Sequence, residues 1–260
     1  MRSLVRAVTA ATAVFAGSAS LLIGCDTLFP EFGGSKPPPD MAMSDAATTS
    51  DGGDPNPRLA GVVCILTDLR DYRTCAIGSP GMLRITVEET RQQVMTDFTG
   101  HFTMPLSMKL QVATVAAIDP NGMYPPTIMP VRLSNDGVLT SLALPVVSAQ
   151  TLSNVALQNG ATMDPLRGTL IAWAIDPTGT PLANVAANAN SAVFDDVGQN
   201  QLSAGSGTRL HGAVGIFGVA PTILTLTLTP PATAAVRADT FTIPIRAGAL
   251  TATTLILPPR

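Results

Sequence analysis

From Leu59 onward the apolar residues come in short β-branched runs, separated at regular intervals by Gly, Pro, Asn and Asp. Alternation is clearest in Leu83-Arg84-Ile85-Thr86-Val87-Glu88, where Leu, Ile and Val face one way and Arg, Thr and Glu the other. This spacing predicts strands at Leu59–Leu66, Met82–Glu88, Gln93–Phe98, His101–Leu106, Gln111–Ile118, Ile128–Leu133 and Val138–Val147. The turns between them fall at Gly78-Ser79-Pro80-Gly81, Thr99-Gly100, Asp119-Pro120-Asn121-Gly122 and Asn135-Asp136-Gly137. One helix is expected, Ser148–Asn159, with Leu152, Val155 and Ala156 on one face and Gly160 where a C-terminal cap falls. The β pattern then restarts, with strands expected at Arg167–Ile175, Pro181–Ala189, Gly212–Val219, Ile223–Thr229, Asp239–Arg246 and Leu250–Leu257. The fold class expected is all-β, as two tandem β-sandwich domains at 59–147 and 164–260 joined by a short helical linker at 148–163. Each is close to the ~100 residues of a typical sandwich.

Residues 1–58 follow a different pattern. Arg2 and Arg6 precede an apolar run from Ala7 to Ile23, too short and too rich in Ala, Thr, Ser and Gly for a permanent span of about 20 strongly apolar residues. Residues 1–24 are expected to be an export leader. Leu22-Ile23-Gly24-Cys25 resembles the lipobox of bacterial lipoproteins, and the resemblance implies a diacylglycerol on the Cys25 thiol and cleavage before it. At about 0.8 kcal/mol per buried CH₂, two or three acyl chains would hold the chain at a membrane. Residues 25–58, with Lys36-Pro37-Pro38-Pro39-Asp40 and Asp51-Gly52-Gly53-Asp54-Pro55, have too few large apolar side chains to offset ordering entropy and are expected to be a disordered tether.

Two stretches resemble the carboxypeptidase regulatory-like (transthyretin-like) β-sandwich family. Thr96-Asp97-Phe98-Thr99-Gly100-His101-Phe102 is similar to its Thr-Asp-x-x-Gly-x-Phe hairpin. Gly168-Thr169-Leu170 with Asp176-Pro177-Thr178-Gly179-Thr180-Pro181-Leu182 is similar to its opening hairpin, and Gly215-Ile216-Phe217-Gly218 running into Leu224–Leu228 to its later strand pair. The resemblance implies a seven-stranded accessory sandwich. The first half departs from it in a longer polar segment, Thr67–Arg73, bracketed by two cysteines, and the second lacks Thr-Asp before Gly212. An immunoglobulin-like or fibronectin-like sandwich is the alternative architecture.

Loss of Arg2 and Arg6 with the leader takes 15 basic residues to 13 against 18 acidic, a net charge near −5. So acidic a body has no electrostatic reason to bind nucleic acid. With Cys25 lipidated, Cys64 and Cys75 remain as an even pair in an oxidising compartment and are read as a disulfide worth about 3 kcal/mol, two buried thiols being the alternative.

Catalytic constellations are not expected. His101 and His211 each stand beside a Gly in corresponding places of the two halves, but neither has the spaced partners a zinc site requires. No Gly-x-Ser-x-Gly elbow occurs after Cys25, and Ser206 between Gly205 and Gly207 reads as a loop. Asp195-Asp196-Val197-Gly198-Gln199-Asn200 offers oxygen ligands for Ca²⁺ without the alternating spacing or closing Glu of an EF-hand, so a plain polar turn is the reading preferred. No metal or cofactor is expected. Trp173, mid-strand between two alanines, is expected to face the core, which leaves Tyr72 and Tyr124, in predicted loops, as the candidate ligand contacts.

The functional expectation is a non-enzymatic, membrane-anchored lipoprotein of the cell envelope with a structural, adhesive or accessory-binding role, held at Cys25 and facing a glycan or an envelope protein. The alternative is a carbohydrate- or peptide-binding component of nutrient uptake using Tyr72 and Tyr124. Asp26, next to Cys25, retains lipoproteins at the inner membrane in some sorting systems and not in others, which leaves open the choice between inner and outer membrane, and between periplasm and cell surface.

Overall fold

The computed structural model describes residues 57–76, 78 and 80–260. The expected leader, Cys25 and the expected tether as far as residue 56 lie outside the described residues. The first half contains β1 (Arg58–Leu66), β2 (Cys75–Ala76), β3 (Arg84–Val87), β4 (Gln92–Met95), β5 (His101–Pro105), β6 (Val112–Ile118), β7 (Thr127–Arg132) and β8 (Val138–Val146). Helix α1 (Ala149–Gln158) follows. The second half contains β9 (Gly168–Ile175), β10 (Ala186–Ala187), β11 (Val193–Asp195), β12 (Leu202–Ala204), β13 (Ala213–Val219), β14 (Thr222–Thr229), β15 (Asp239–Ile245) and β16 (Leu250–Ile256). The described residues are all-β apart from α1 and a 3-10 turn at Tyr72–Thr74.

Three sheets carry these strands. In the smallest, β14 lies between β10 and β15. A second has β1 pairing antiparallel with β2 and β5 and parallel with β8. The third runs through both halves in the order β12-β11-β13-β9-β16-β7-β6-β3-β4. Its centre is parallel: β16 pairs with β9 along its whole length, but with β7 only at Leu250–Thr127 and Thr251–Ile128. The seam between the halves in this sheet is therefore narrow, helped by the Leu250 amide donating to the Pro126 carbonyl at 2.8 Å.

Each half has its own core. Ile85 and Val87 of β3, Ala113, Val115 and Ala117 of β6, and Val131 of β7 pack against Leu59, Val63, Phe102, Met104 and Leu144 of the second sheet. In the second half Leu170, Ala172 and Ala174 of β9 pack with Val214, Ile216, Leu226, Leu228, Ile243 and Ile245. The opposite face of β9, with Ile171 and Trp173, lies under Leu66, Leu69, Val147 and the Leu152 and Val155 face of α1. Covered on both sides, β9 is buried at every position, which is why its sequence is a continuous apolar run rather than an alternating one. The helix begins where expected, Ser148 Oγ accepting from the Thr151 amide at 3.0 Å.

Two tight turns, one in each half, are built alike, the first passing from β4 in one sheet to β5 in another. Asp97 Oδ1 accepts from the Thr99 amide (2.8 Å), the Thr99 hydroxyl (2.7 Å) and the His101 amide (2.9 Å). Asp176 Oδ1 does the same with the Thr178 amide (2.8 Å), its hydroxyl (2.6 Å) and the Thr180 amide (2.9 Å). In both, the fourth residue is a glycine in the left-handed region, Gly100 at φ +87 and Gly179 at φ +85.

Most predicted strands are present to within a few residues, but the second half departs in two places. The expected strand Pro181–Ala189 is reduced to a bridge between Ile175 and Pro181 and the two residues of β10. Asn184 at φ 59 turns the chain between them, its amide donating to the Thr208 carbonyl. Instead, β11 and β12 form from a segment expected to be loop, pairing Val193–Ala204 to Asp195–Leu202.

Two glycine substitutions test the turn geometry. Gly179→Ala should cost about 1–2 kcal/mol for left-handed backbone alone, since the added carbon meets nothing nearer than the Tyr72 hydroxyl at 3.6 Å. Gly100→Ala should cost more, because its added carbon also falls 2.7 Å from the Val63 carbonyl oxygen. Urea unfolding of the two variants side by side checks the order.

Candidate functional site at the junction of the halves

The longer polar segment that sets the first half apart, Thr67–Arg73, is closed into a ring by a disulfide between Cys64 and Cys75, whose Cα atoms are 5.3 Å apart. Within the ring, backbone bonds Asp71 N–H to Asp68 O (3.1 Å) and Thr74 N–H to Asp71 O (3.0 Å) coil the chain, and the Asp71 side chain caps the 3-10 turn by accepting from the Arg73 amide. The coil points Leu69 inward. Its side chain is fully buried in the cluster formed with Trp173, and the Trp173 indole N–H donates to the Leu69 carbonyl at 3.1 Å.

The polar groups around Leu69 are matched to the second-half segment Asp196–Asn200. Arg70 forms a two-pronged pair with Asp68, Nε to Oδ1 at 3.0 Å and Nη2 to Oδ2 at 2.7 Å, and its Nη1 donates to the carbonyls of Asp196 (2.7 Å) and Val197 (2.8 Å). Asn200 completes the match. Its Oδ1 accepts from the Leu69 amide (2.8 Å), its own amide donates to Asp68 Oδ1 (3.0 Å), and its Nδ2 donates to the Thr67 carbonyl (3.1 Å). Asp195, fully buried, accepts from the amides of Arg209 (2.7 Å) and His211 (2.8 Å).

Burial raises the proton affinity of Asp68, but Arg70, with the amides of Arg70 and Asn200, outweighs it and holds the carboxyl below the usual range. Asp71 behaves likewise, with burial opposed by the side chain and amide of Arg73 and by the charges of Arg73 and His211. Asp196 is lowered by hydrogen bonds from Ser203 and Val197. His211 Nδ1 lies 3.5 Å from Asp71 Oδ2 and is the one buried side-chain nitrogen or oxygen among the described residues without a hydrogen-bond partner.

The two tyrosines are not displayed as loop contacts. Tyr124 is only 7% exposed and belongs to the first core. Asp119 Oδ2 accepts from the Met123 (2.7 Å) and Tyr124 (3.1 Å) amides, and the turn this makes carries the ring inward. Tyr72 lies half-buried against Trp173, ring centroids 6.1 Å apart, with its hydroxyl donating to the Gly179 carbonyl at 2.8 Å. Burial raises its pKa. Both rings take part in packing, Tyr124 being withdrawn into the core and Tyr72 staying partly exposed. Trp173 is at 1% exposure, in the core as expected. His101 is exposed on β5, whereas His211 sits at the junction, so the two do not occupy matching surroundings. Among the described residues no group of three or more His, Cys, Asp or Glu is placed to hold a metal ion. Ser206 is exposed in a shallow depression with Asn184, Gly205, Gly207, Thr208 and Arg209, and the Arg209 guanidinium there is paired with Asp196 at 2.9 Å. What the composition could not indicate was Asn200, Asp68 and Arg70 acting together; the Cys-bracketed polar insertion was the only signal.

No protein-family model matches the chain, and no curated protein matches it. Among solved structures, the chain is similar at 13% identity and a TM-score of 0.24 to the Bacillus anthracis TIE protein, over 78% of this chain and 34% of that one, so it spans about a third of that protein. It is similar at 12% identity and a TM-score of 0.25 to the shaft pilin SpaA of Lactobacillus rhamnosus GG, over 79% of this chain and 98% of that one. For GBS52, the minor pilin of Streptococcus agalactiae, the figures are 12%, 0.22, 78% and 96%. TM-scores at this level carry no functional conclusion, and the all-β architecture rests on the strands and sheets themselves.

Leu69→Ala should lower stability by about 2–5 kcal/mol through lost burial and the cavity under Trp173, whereas Trp173→Phe should lose about 1–3 kcal/mol, mainly by leaving the Leu69 carbonyl without its donor. Denaturant midpoints measure both. Because Asp68 and Asp71 are depressed in the folded state, their contribution is complete above the unfolded carboxylate value of about 3.9 and is lost as pH falls through the lower folded values. The thermal midpoint should therefore fall on acidification below about pH 4, and Asp68→Asn should flatten that fall while lowering the midpoint at neutral pH.

Proposed function

We propose that this chain is an exported lipoprotein, anchored at a membrane through Cys25, whose β-rich body is a non-enzymatic structural, adhesive or accessory-binding element of the bacterial cell envelope. The observation that carries the non-catalytic reading is the state of the junction, the densest polar cluster described above. Its carboxylates and guanidinium groups hold one another and backbone groups: Arg70 with Asp68 and two carbonyls, Arg73 with Asp71, Arg209 with Asp196. Groups so committed position a loop, which supports a structural role for the junction.

The anchoring part of the reading rests on Leu22-Ile23-Gly24-Cys25 behind a basic, then apolar leader. No helix among the described residues is long and apolar enough to cross a membrane. The expected partners follow from that placement: a membrane through the acyl chains, and a glycan or an envelope protein through the body.

Metabolic labelling with an alkyne fatty acid tests the anchor. Label should appear on the wild-type chain, persist with Cys64→Ala/Cys75→Ala, and vanish with Cys25→Ala; unlabelled wild-type protein overturns the lipoprotein reading. Fractionation of the labelled cells assigns the membrane. Saturable binding of a soluble sugar or peptide would replace the structural reading with one of ligand capture.

A further inference from the structure

We infer that the Cys64–Cys75 bond is a redox latch on the junction between the halves. The polar contacts that Thr67, Asp68, Leu69, Arg70 and Tyr72 make with the second half all arise between the two cysteines, inside the ring the disulfide closes. Without the bond, the returning end of that ring is held to β1 by the two register pairs of β2, Ile65–Ala76 and Leu66–Cys75, and to Thr67 and Asp68 by Thr74, whose carbonyl accepts from the Thr67 amide (3.4 Å) and whose hydroxyl accepts from the Asp68 amide (3.1 Å). Two pairs do not make a stable ladder.

The rest of the connection is asymmetric. Away from the ring, the halves are joined by the two register pairs of β7 with β16, by the Leu250 to Pro126 bond, by a small apolar cluster of Ala116, Ile128 and Ala249, by an ion pair of Arg246 with Glu88 at 2.7 Å, and by the α1 face on β9. The cores of the two halves lie apart from the clamp: of the ring residues only Ile65 packs against the first and none belongs to the second, while Leu66 and Leu69 belong to the cluster under α1 that the clamp itself closes. Opening the disulfide therefore frees the clamp, leaves both cores packed, and converts the junction into a hinge at the β7–β16 seam.

The chemistry is thiol–disulfide exchange with a dithiol. Cys64 is 1% exposed and Cys75 partly exposed, so the thiolate of the reductant attacks Cys75 Sγ and Cys64 leaves as a thiolate that takes up a proton. The second thiol of the reductant then displaces Cys75 Sγ, which is protonated in turn. Two electrons and two protons pass to the protein, giving two thiols, and the reductant becomes a disulfide.

Hydrogen exchange on the full chain, read by mass spectrometry with and without dithiothreitol, tests the latch. Peptides covering 66–74 and 196–201 should exchange about tenfold faster or more after reduction, while peptides from β6 and β13 keep their protection. Unchanged exchange in the two junction segments overturns the proposal. So does simultaneous loss of protection in the core strands, since the bond would then be a general stabiliser and not a latch. A Cys64→Ser/Cys75→Ser chain should match the reduced protein and ignore dithiothreitol. If that variant fails to fold while the reduced wild type stays folded, the reduction experiment decides.

Discussion

A polar loop can be buried only if every backbone and charged group it carries finds a partner, and the junction of this protein is organised around that requirement. Burying Leu69 takes its amide, its carbonyl and the neighbouring Asp68 and Arg70 out of water. Each is then answered from the second half: the amide by Asn200, the carbonyl by Trp173, the guanidinium by the carbonyls of Asp196 and Val197. The apolar contact and the polar network are interdependent, because the buried Leu69 side chain holds in place the backbone amide and carbonyl that Asn200 and Trp173 bond. Asp68 carries this furthest, receiving Arg70 on one side and the Asn200 amide on the other.

The same economy of local chemistry appears in the turns. Asp97 and Asp176 place one carboxylate oxygen against three donors and a left-handed glycine, and the two halves thereby share a tight turn although the strands around it pair differently. The second-half turn is also wired into the junction, since Gly179 presents its carbonyl to Tyr72. Local turn geometry and long-range docking thus meet at one peptide group.

Elements written in local periodicity were readable from the residues. Leu83–Glu88 alternates and is a strand buried on one face; Leu152, Val155 and Ala156 recur at helical spacing and face inward; Trp173 in an apolar run is in the core. Short strands were not readable, because Val193-Phe194 and Leu202 amount to a few apolar positions among polar turn residues, and their pairing is set by β13 rather than by their own pattern. Tyr124 stands in a loop between Asn121-Gly122 and Pro125-Pro126, as its neighbours indicate, but the bonds from its own amide and that of Met123 to Asp119 turn its ring into the core. The junction was hidden for a simpler reason. Leu69 and Asn200 are 131 residues apart, and neither announces the other.

The position of β16 sets an order of events during synthesis. Residues 250–256 lie between β9 and β7, so a polypeptide emerging from its N-terminus has Thr127 and Ile128 of β7 unpaired on that side until Leu250 and Thr251 have been made. An open parallel edge is a template for another copy of the same strand. Cross-pairing between copies would be favoured in that interval at Thr127 and Ile128, the two positions of β7 that the late strand covers.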